Sequence, residues 1–310
     1  MSYHPSQSYH PYPQQDRGGY GTPPVDSTGV VVPVPTSGEV PSYPPPSYQE
    51  AQSLVPLVCQ TAPQIVVDEG MDRRLAEAAA RQQVGPELVA KMRQMAGAEF
   101  VFVWDDSGSM KTPIKSAEWD VKTRWDEEKK MAGILVDMAC ALDPSGVDHY
   151  FLNRGTMNNV KTYAEVQSAF RTPPSGATPT VRILRQIMED KKEVLKAGRQ
   201  LIIFLGTDGY PTDDWGNINS DELEDWIKDR PKGVYLNIML FIDDESVVNL
   251  YNKWDKGYPR VDVCDDYASE LEEVRKARGN GYRFTKGDYA AKALVGSFDP
   301  TFDCQDQIIE

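Results

Sequence analysis

Five short runs of apolar residues, spaced so that a helix fits between most neighbours, constrain the fold of this chain more than any other feature. They occupy residues 100–104, 149–152, 201–205, 234–242 and, more weakly, 261–264. Strands that are apolar at consecutive positions need cover on both faces, and intervening helices supply the two covering layers. Between the first two runs, Met131, Ile134, Leu135, Met138 and Leu142 keep the spacing of one helical face. A second stripe, Leu184, Ile187, Met188 and Leu195, follows Thr178. The expected fold is α/β: a Rossmann-like, mostly parallel sheet covered by helices on both faces. Ligands of such sheets sit beyond the carboxyl ends of the strands, where the strand order reverses.

The pattern starts late in the chain. Residues 1–69 hold 13 of the 23 prolines, six tyrosines and a single basic residue, Arg17. That composition buries too little apolar area to offset its ordering entropy, so a disordered tail is expected. From Met71 onward "MDRRLAEAAARQQ" favours helix, and "GPELVAKMRQMAG" puts Pro86 in a helical first turn and Gly97 at a helix end. The expected organisation is a tail over 1–69, leader helices over 70–97, the α/β domain over 98–300 and a C-terminal tail over 301–310.

A formal net charge of -14 disfavours nucleic acid as a partner, because phosphate binding draws on clustered Lys and Arg. The four cysteines, Cys59, Cys140, Cys264 and Cys304, form no CxxC pair and have no nearby His. They read as free thiols of a reducing compartment rather than a zinc site or disulfide framework. The N-terminus lacks the blocks of a signal peptide, and no run of about 18 apolar residues occurs, so no transmembrane segment and a cytoplasmic setting are expected.

At the end of the first run, "FVFVWDDSGSM" turns from strand formers to carboxylates and hydroxyls. It belongs with two other segments: Gly176-Ala177-Thr178, before the second helical stripe, and Thr207-Asp208-Gly209, after the third run. All three offer hard oxygen ligands and none offers sulfur or imidazole. Mg²⁺ takes near-octahedral oxygen coordination at about 2.0 to 2.1 Å and retains some water, which suits hydroxyls joined by one or two carboxylates. A tight turn through Gly108 brings Asp105, Ser107 and Ser109 round one point. The bland alternatives are that Thr178 caps a helix with Pro179 at its first position, and that Asp105 and Asp208, like Asp106, Asp213 and Asp214, are turn formers.

On these residues the chain resembles the von Willebrand factor A domain, whose metal-ion-dependent adhesion site is written D-x-S-x-S, then Thr, then Asp. The likeness covers about residues 99–297. "TPT" at 178–180 and "TDGYPTD" at 207–213 look like the "TPTG" and "TDGxPTD" blocks of intracellular fungal and protist members, and "RWDEEKKMAGILVDMA" and "GVDHYFLN" are similar to them too. The resemblance implies that Ser107 and Ser109 bind a metal directly, Thr178 directly or through water, and Asp105 and Asp208 through water or directly. It implies Mg²⁺, with Mn²⁺ or Ca²⁺ as alternatives, and an open coordination position for an acidic residue of a partner protein. Two positions depart from the pattern: Val181 stands where many members have glycine, and Gly206 where the strand is usually apolar.

The tail carries "PSYPPPSYQEA", in which Pro45, Pro46 and Tyr48 make a PPxY sequence. WW domains take such a preformed polyproline II segment into an aromatic groove, and motifs of this kind recruit HECT-class ubiquitin ligases. The chain is therefore expected to be a non-enzymatic binding protein. One alternative is a ligase adaptor in which the fold is a passive scaffold. The other is a metal-assisted hydrolase, for which the sequence offers no general base and no second metal site. His149 lies inside an apolar run and reads as a strand residue, and neither a GxxxxGK[ST] loop nor an HExxH pair occurs. Trp125, Trp215, Trp226 and Trp254 are expected in core or rim packing.

Overall fold

The structure, a computed structural model, describes residues 70–114, 120–242 and 244–299. The expected tails at 1–69 and 301–310, with Pro45, Pro46 and Tyr48, lie outside the described residues, as do Cys59 and Cys304. Six strands form one sheet: β1 Glu99–Trp104, β2 Val147–Phe151, β3 Thr156–Val160, β4 Leu201–Thr207, β5 Val234–Leu240 and β6 Val261–Cys264. Their order is β3-β2-β1-β4-β5-β6, and every neighbouring pair is parallel except β2 with β3. The five apolar runs are thus β1, β2, β4, β5 and β6. The strand that the runs did not announce is β3, "TMNNV", an edge strand in which Val160 alone is buried.

Helices cover both faces, and β1 shows why its sequence is continuously apolar. Phe100, Phe102 and Trp104 pack with Leu75 of α1 (Met71–Gln82), Met92 of α2 (Pro86–Met92) and Leu135 of α3 (Arg124–Leu142). Val101 and Val103 point the other way, into a cluster with Leu184, Leu223 and Val247. Each of those three comes from a different helix, Thr180–Asp190, Ser220–Asp229 and Glu245–Gly257 in turn. The leader helices share the core of the sheet, since Met71, Leu75, Leu88 and Met92 belong to the same cluster as Phe102.

Two local features position the site. The crossover reverses direction at β1, which pairs with β2 on one side and β4 on the other. The carboxyl ends of β1 and β4 therefore open side by side, with Trp104 opposite Gly206, and the acidic segments follow directly. Helix α3 begins at Thr123, whose hydroxyl accepts the Asp126 N–H, a cap of the kind that contributes about 1 kcal/mol. That start sets Arg124 and Glu128 in the opening turns of α3, both reaching the ends of these two strands.

Candidate metal centre

Four of the five candidate ligands are joined by direct hydrogen bonds. The Ser107 N–H donates to Asp105 Oδ1 at 2.9 Å, closing the turn after β1. Ser107 Oγ lies 2.9 Å from Ser109 Oγ, and Ser109 Oγ donates to Asp208 Oδ1 at 2.6 Å. A hydroxyl has one proton, so Ser109, having given its own to a carboxylate, must accept from Ser107. That leaves lone pairs on both serine oxygens, the donor character a hard cation requires. Asp105, Ser107 and Asp208 are buried, and Ser109 is exposed.

Thr178 is not bonded to any of the other four, but its loop is fastened to theirs. The Gly108 N–H donates to Gly176 O at 3.1 Å, and the Ser175 N–H to Asp106 O at 2.6 Å. Thr178 is buried and exchanges two bonds with Thr212: its N–H donates to Thr212 Oγ1, and the Thr212 N–H donates to Thr178 O, each at 2.9 Å. It does not cap the following helix, which runs Thr180–Asp190 with Pro179 at the cap position and no side-chain cap. The helix-cap alternative for Thr178 is therefore excluded.

Residues outside the five candidate ligands hold this arrangement. Thr207 Oγ1 donates to Asp105 Oδ2 at 2.7 Å, and Arg124 Nη1 donates to Asp208 Oδ2 at 2.9 Å. Beneath the turn, the Asp105 N–H donates to Glu128 Oε1 at 3.0 Å. Gly206 makes room for that carboxyl: a Cβ there would lie 2.8 Å from Glu128 Oε1 and 2.9 Å from the Phe241 ring. The departure from an apolar residue at Gly206 thus has a steric reason, and Val181 is simply buried in the core.

Asp106 is not a turn former. It is buried, accepts from the N–H and Nδ2 of Asn153 at 2.7 and 3.1 Å, and pairs with Arg154 at 2.7 Å. Arg154 also donates to Thr172 O and Pro173 O, so the pair fixes the segment that delivers Thr178. At Gly176, φ is +118° and a Cβ would collide with the Asn153 side chain, so only glycine fits there. Asp213 does close a turn, accepting the Trp215 and Asn217 N–H groups at 2.9 Å each, and Asp214 pairs with Arg182 instead.

Burial and like charge act together on the carboxylates of the site. Burial, followed by the charge of Asp208, pushes Asp105 up to about 7. Burial, followed by the charge of Asp105, holds Glu128 well above the usual carboxylate range. Burial and like charge both disfavour the ionised form, and the Arg124 guanidinium against Asp208 Oδ2 offsets part of that cost. Among the described residues, no three His, Cys, Asp or Glu converge as a metal site. The candidate set differs in kind, with two carboxylates and three hydroxyls, and an all-oxygen set of this composition fits Mg²⁺, Mn²⁺ or Ca²⁺.

His149 lies in β2, buried, with Nδ1 accepting from Trp104 Nε1 at 2.8 Å, and burial lowers it to about 3. Trp125 and Trp254 are buried, whereas Trp215 stands out into solvent. The described cysteines, Cys140 and Cys264, are free thiols, and no helix among the described residues is long and apolar enough to cross a membrane. No family model matches the chain, and no curated protein matches it.

Proposed function

We propose that this chain is a cytoplasmic, non-enzymatic binding protein of the von Willebrand factor A type, in which a divalent cation, Mg²⁺ foremost, clasps an acidic residue of a partner protein. The observation that carries the proposal is the continuous hydrogen-bonded path Asp105–Ser107–Ser109–Asp208 at the topological switch point of the sheet. A bound cation would supply net positive charge and an exchangeable coordination position for the partner's carboxylate. The protein's own groups do the rest. Ser107, Ser109 and Thr178 offer neutral oxygens, so they add no negative charge to that of Asp105 and Asp208 and leave the cation able to take an incoming anion. Arg124 occupies Asp208 Oδ2 and holds that carboxylate in orientation. Asp106 and Arg154 keep the Thr178 loop against the serine turn.

The test is capture of protein partners on the full chain in Mg²⁺ and in EDTA, with wild type and a Ser107→Ala, Ser109→Ala variant. The clasp predicts partners retained by the wild type in Mg²⁺ alone and lost in the variant. Equal recovery under all four conditions contradicts it. Pro45, Pro46 and Tyr48 form a second proposed contact, a ligand for a WW domain, and Tyr48→Ala should abolish capture of such a domain whether or not Mg²⁺ is present.

A further inference from the structure

Trp215 is 85% exposed, and Ile218, three residues on, is 64% exposed. An indole left in water is common on a floppy loop, but this loop is locked. Asp213 Oδ1 accepts the N–H groups of Trp215 and Asn217, Asp213 Oδ2 accepts from Asn217 Nδ2 at 2.8 Å, and the Asp213 N–H donates to Asn217 O at 2.8 Å. Thr212 bridges to Ile218 and exchanges two hydrogen bonds with Thr178. The backbone that carries the indole is therefore held relative to a candidate cation ligand.

The charge around it selects the occupant. Residues 207–222 contain five carboxylates and no Lys or Arg. Arg124, Arg182 and Arg185 reach in to neutralise Asp208, Asp214 and Glu222, which leaves Asp213 and Asp221 without a basic partner among the described residues. An exposed indole beside uncompensated carboxylates suits a cationic side chain with an apolar stem, whose head lies over the ring while its methylenes cover Ile218. A second copy of this chain, at net charge -14, is a poor occupant.

We infer that Trp215 and Ile218 form the second half of the partner site, receiving an Arg or Lys that lies a few residues from the carboxylate held at the cation. This rests on the proposed clasp for the carboxylate half, whereas the Trp215 half stands on exposure, rigidity and charge. The surface thus calls for a partner segment of mixed charge rather than an acidic stretch.

The experiment uses the full chain labelled with ¹⁵N, with the Trp215 indole N–H signal assigned from a Trp215→Phe variant. The probes are Gly/Ser peptides carrying Glu alone, Arg alone, Glu with Arg one to six residues away, or Glu with Leu at the same spacings, each titrated in Mg²⁺ and in EDTA. The expected result is that one Glu/Arg spacing shifts the Trp215 signal and binds about fivefold more tightly than Glu alone. Trp215→Ala should erase that gain while leaving Glu-only binding intact. The inference is overturned if Arg adds nothing, if its gain survives Trp215→Ala, or if Leu serves better than Arg. If Arg-bearing peptides still shift Trp215 in EDTA and Glu is dispensable, the clasp fails and the Trp215 surface stands.

Discussion

The N–H of Asp105 donates to the buried carboxyl of Glu128 at 3.0 Å, across the space that Gly206 leaves by having no side chain. The turn carrying three candidate ligands is thus supported from below by a helix, through an acid that burial holds well above the usual carboxylate range. Glu128→Gln keeps an acceptor of the same shape and should change stability by less than about 1 kcal/mol. Glu128→Ala removes one of the two acceptors of the Asp105 N–H, leaving Gly206 O at 3.2 Å, and opens a void, with an expected cost of about 2 kcal/mol that comes mainly from the void. Urea unfolding midpoints of the two variants check both values.

Gly206→Ala should destabilise the protein by about 1 to 3 kcal/mol, since the added methyl would press on Glu128 Oε1 and the Phe241 ring. Combining it with Glu128→Ala should recover part of that loss, because one of the two obstacles is gone. Additive losses in the double variant would count against the packing described for this pair.

The fold was legible where burial is two-sided. Residues 100–104 and 201–205 read as strands because helices cover both faces of β1 and β4, and the α3 stripe was legible because Met131, Leu135, Met138 and Leu142 all face the core. β3 was not legible, since an edge strand with one buried residue has no apolar run to show. At the site, Asp105, Ser107 and Ser109 lie within one turn of chain and so announce themselves. Arg124, Glu128 and Arg154 reach the same place from distant parts of the sequence, and nothing in a charged helix start or a loop arginine signals that its partner is a buried aspartate. Asp106 was misread as a turn residue because its partners, Asn153 and Arg154, come from the end of another strand.

Arg154→Met should cost about 3 kcal/mol, because it leaves the buried Asp106 carboxylate without its cation. Asp106→Asn in the same background should restore stability in part. Thermal unfolding of the single and double variants provides the measurement.

His149 gives a pH signature of known sign. Its folded value, about 3, lies below the ordinary 6.5, so the unfolded chain binds a proton between those values that the folded chain does not. Its contribution to stability is present above about 6.5 and is lost as pH falls toward 3. His149→Asn keeps an acceptor for Trp104 Nε1 and removes the titration, so the stability difference between wild type and variant should shift in the variant's favour on acidification. A difference that is flat from pH 7 to 4 would show that His149 is not buried as a neutral base.

The most direct test of the cation centre is a calorimetric titration of Mg²⁺ into the full chain at constant ionic strength, with wild type and the Ser107→Ala, Ser109→Ala variant compared after circular dichroism shows both folded. The hydrogen-bonded path from Asp105 to Asp208 predicts saturable binding to the wild type that the variant lacks. Heats that are the same for the two proteins, or no binding by the folded wild type, would contradict a cation site at these residues.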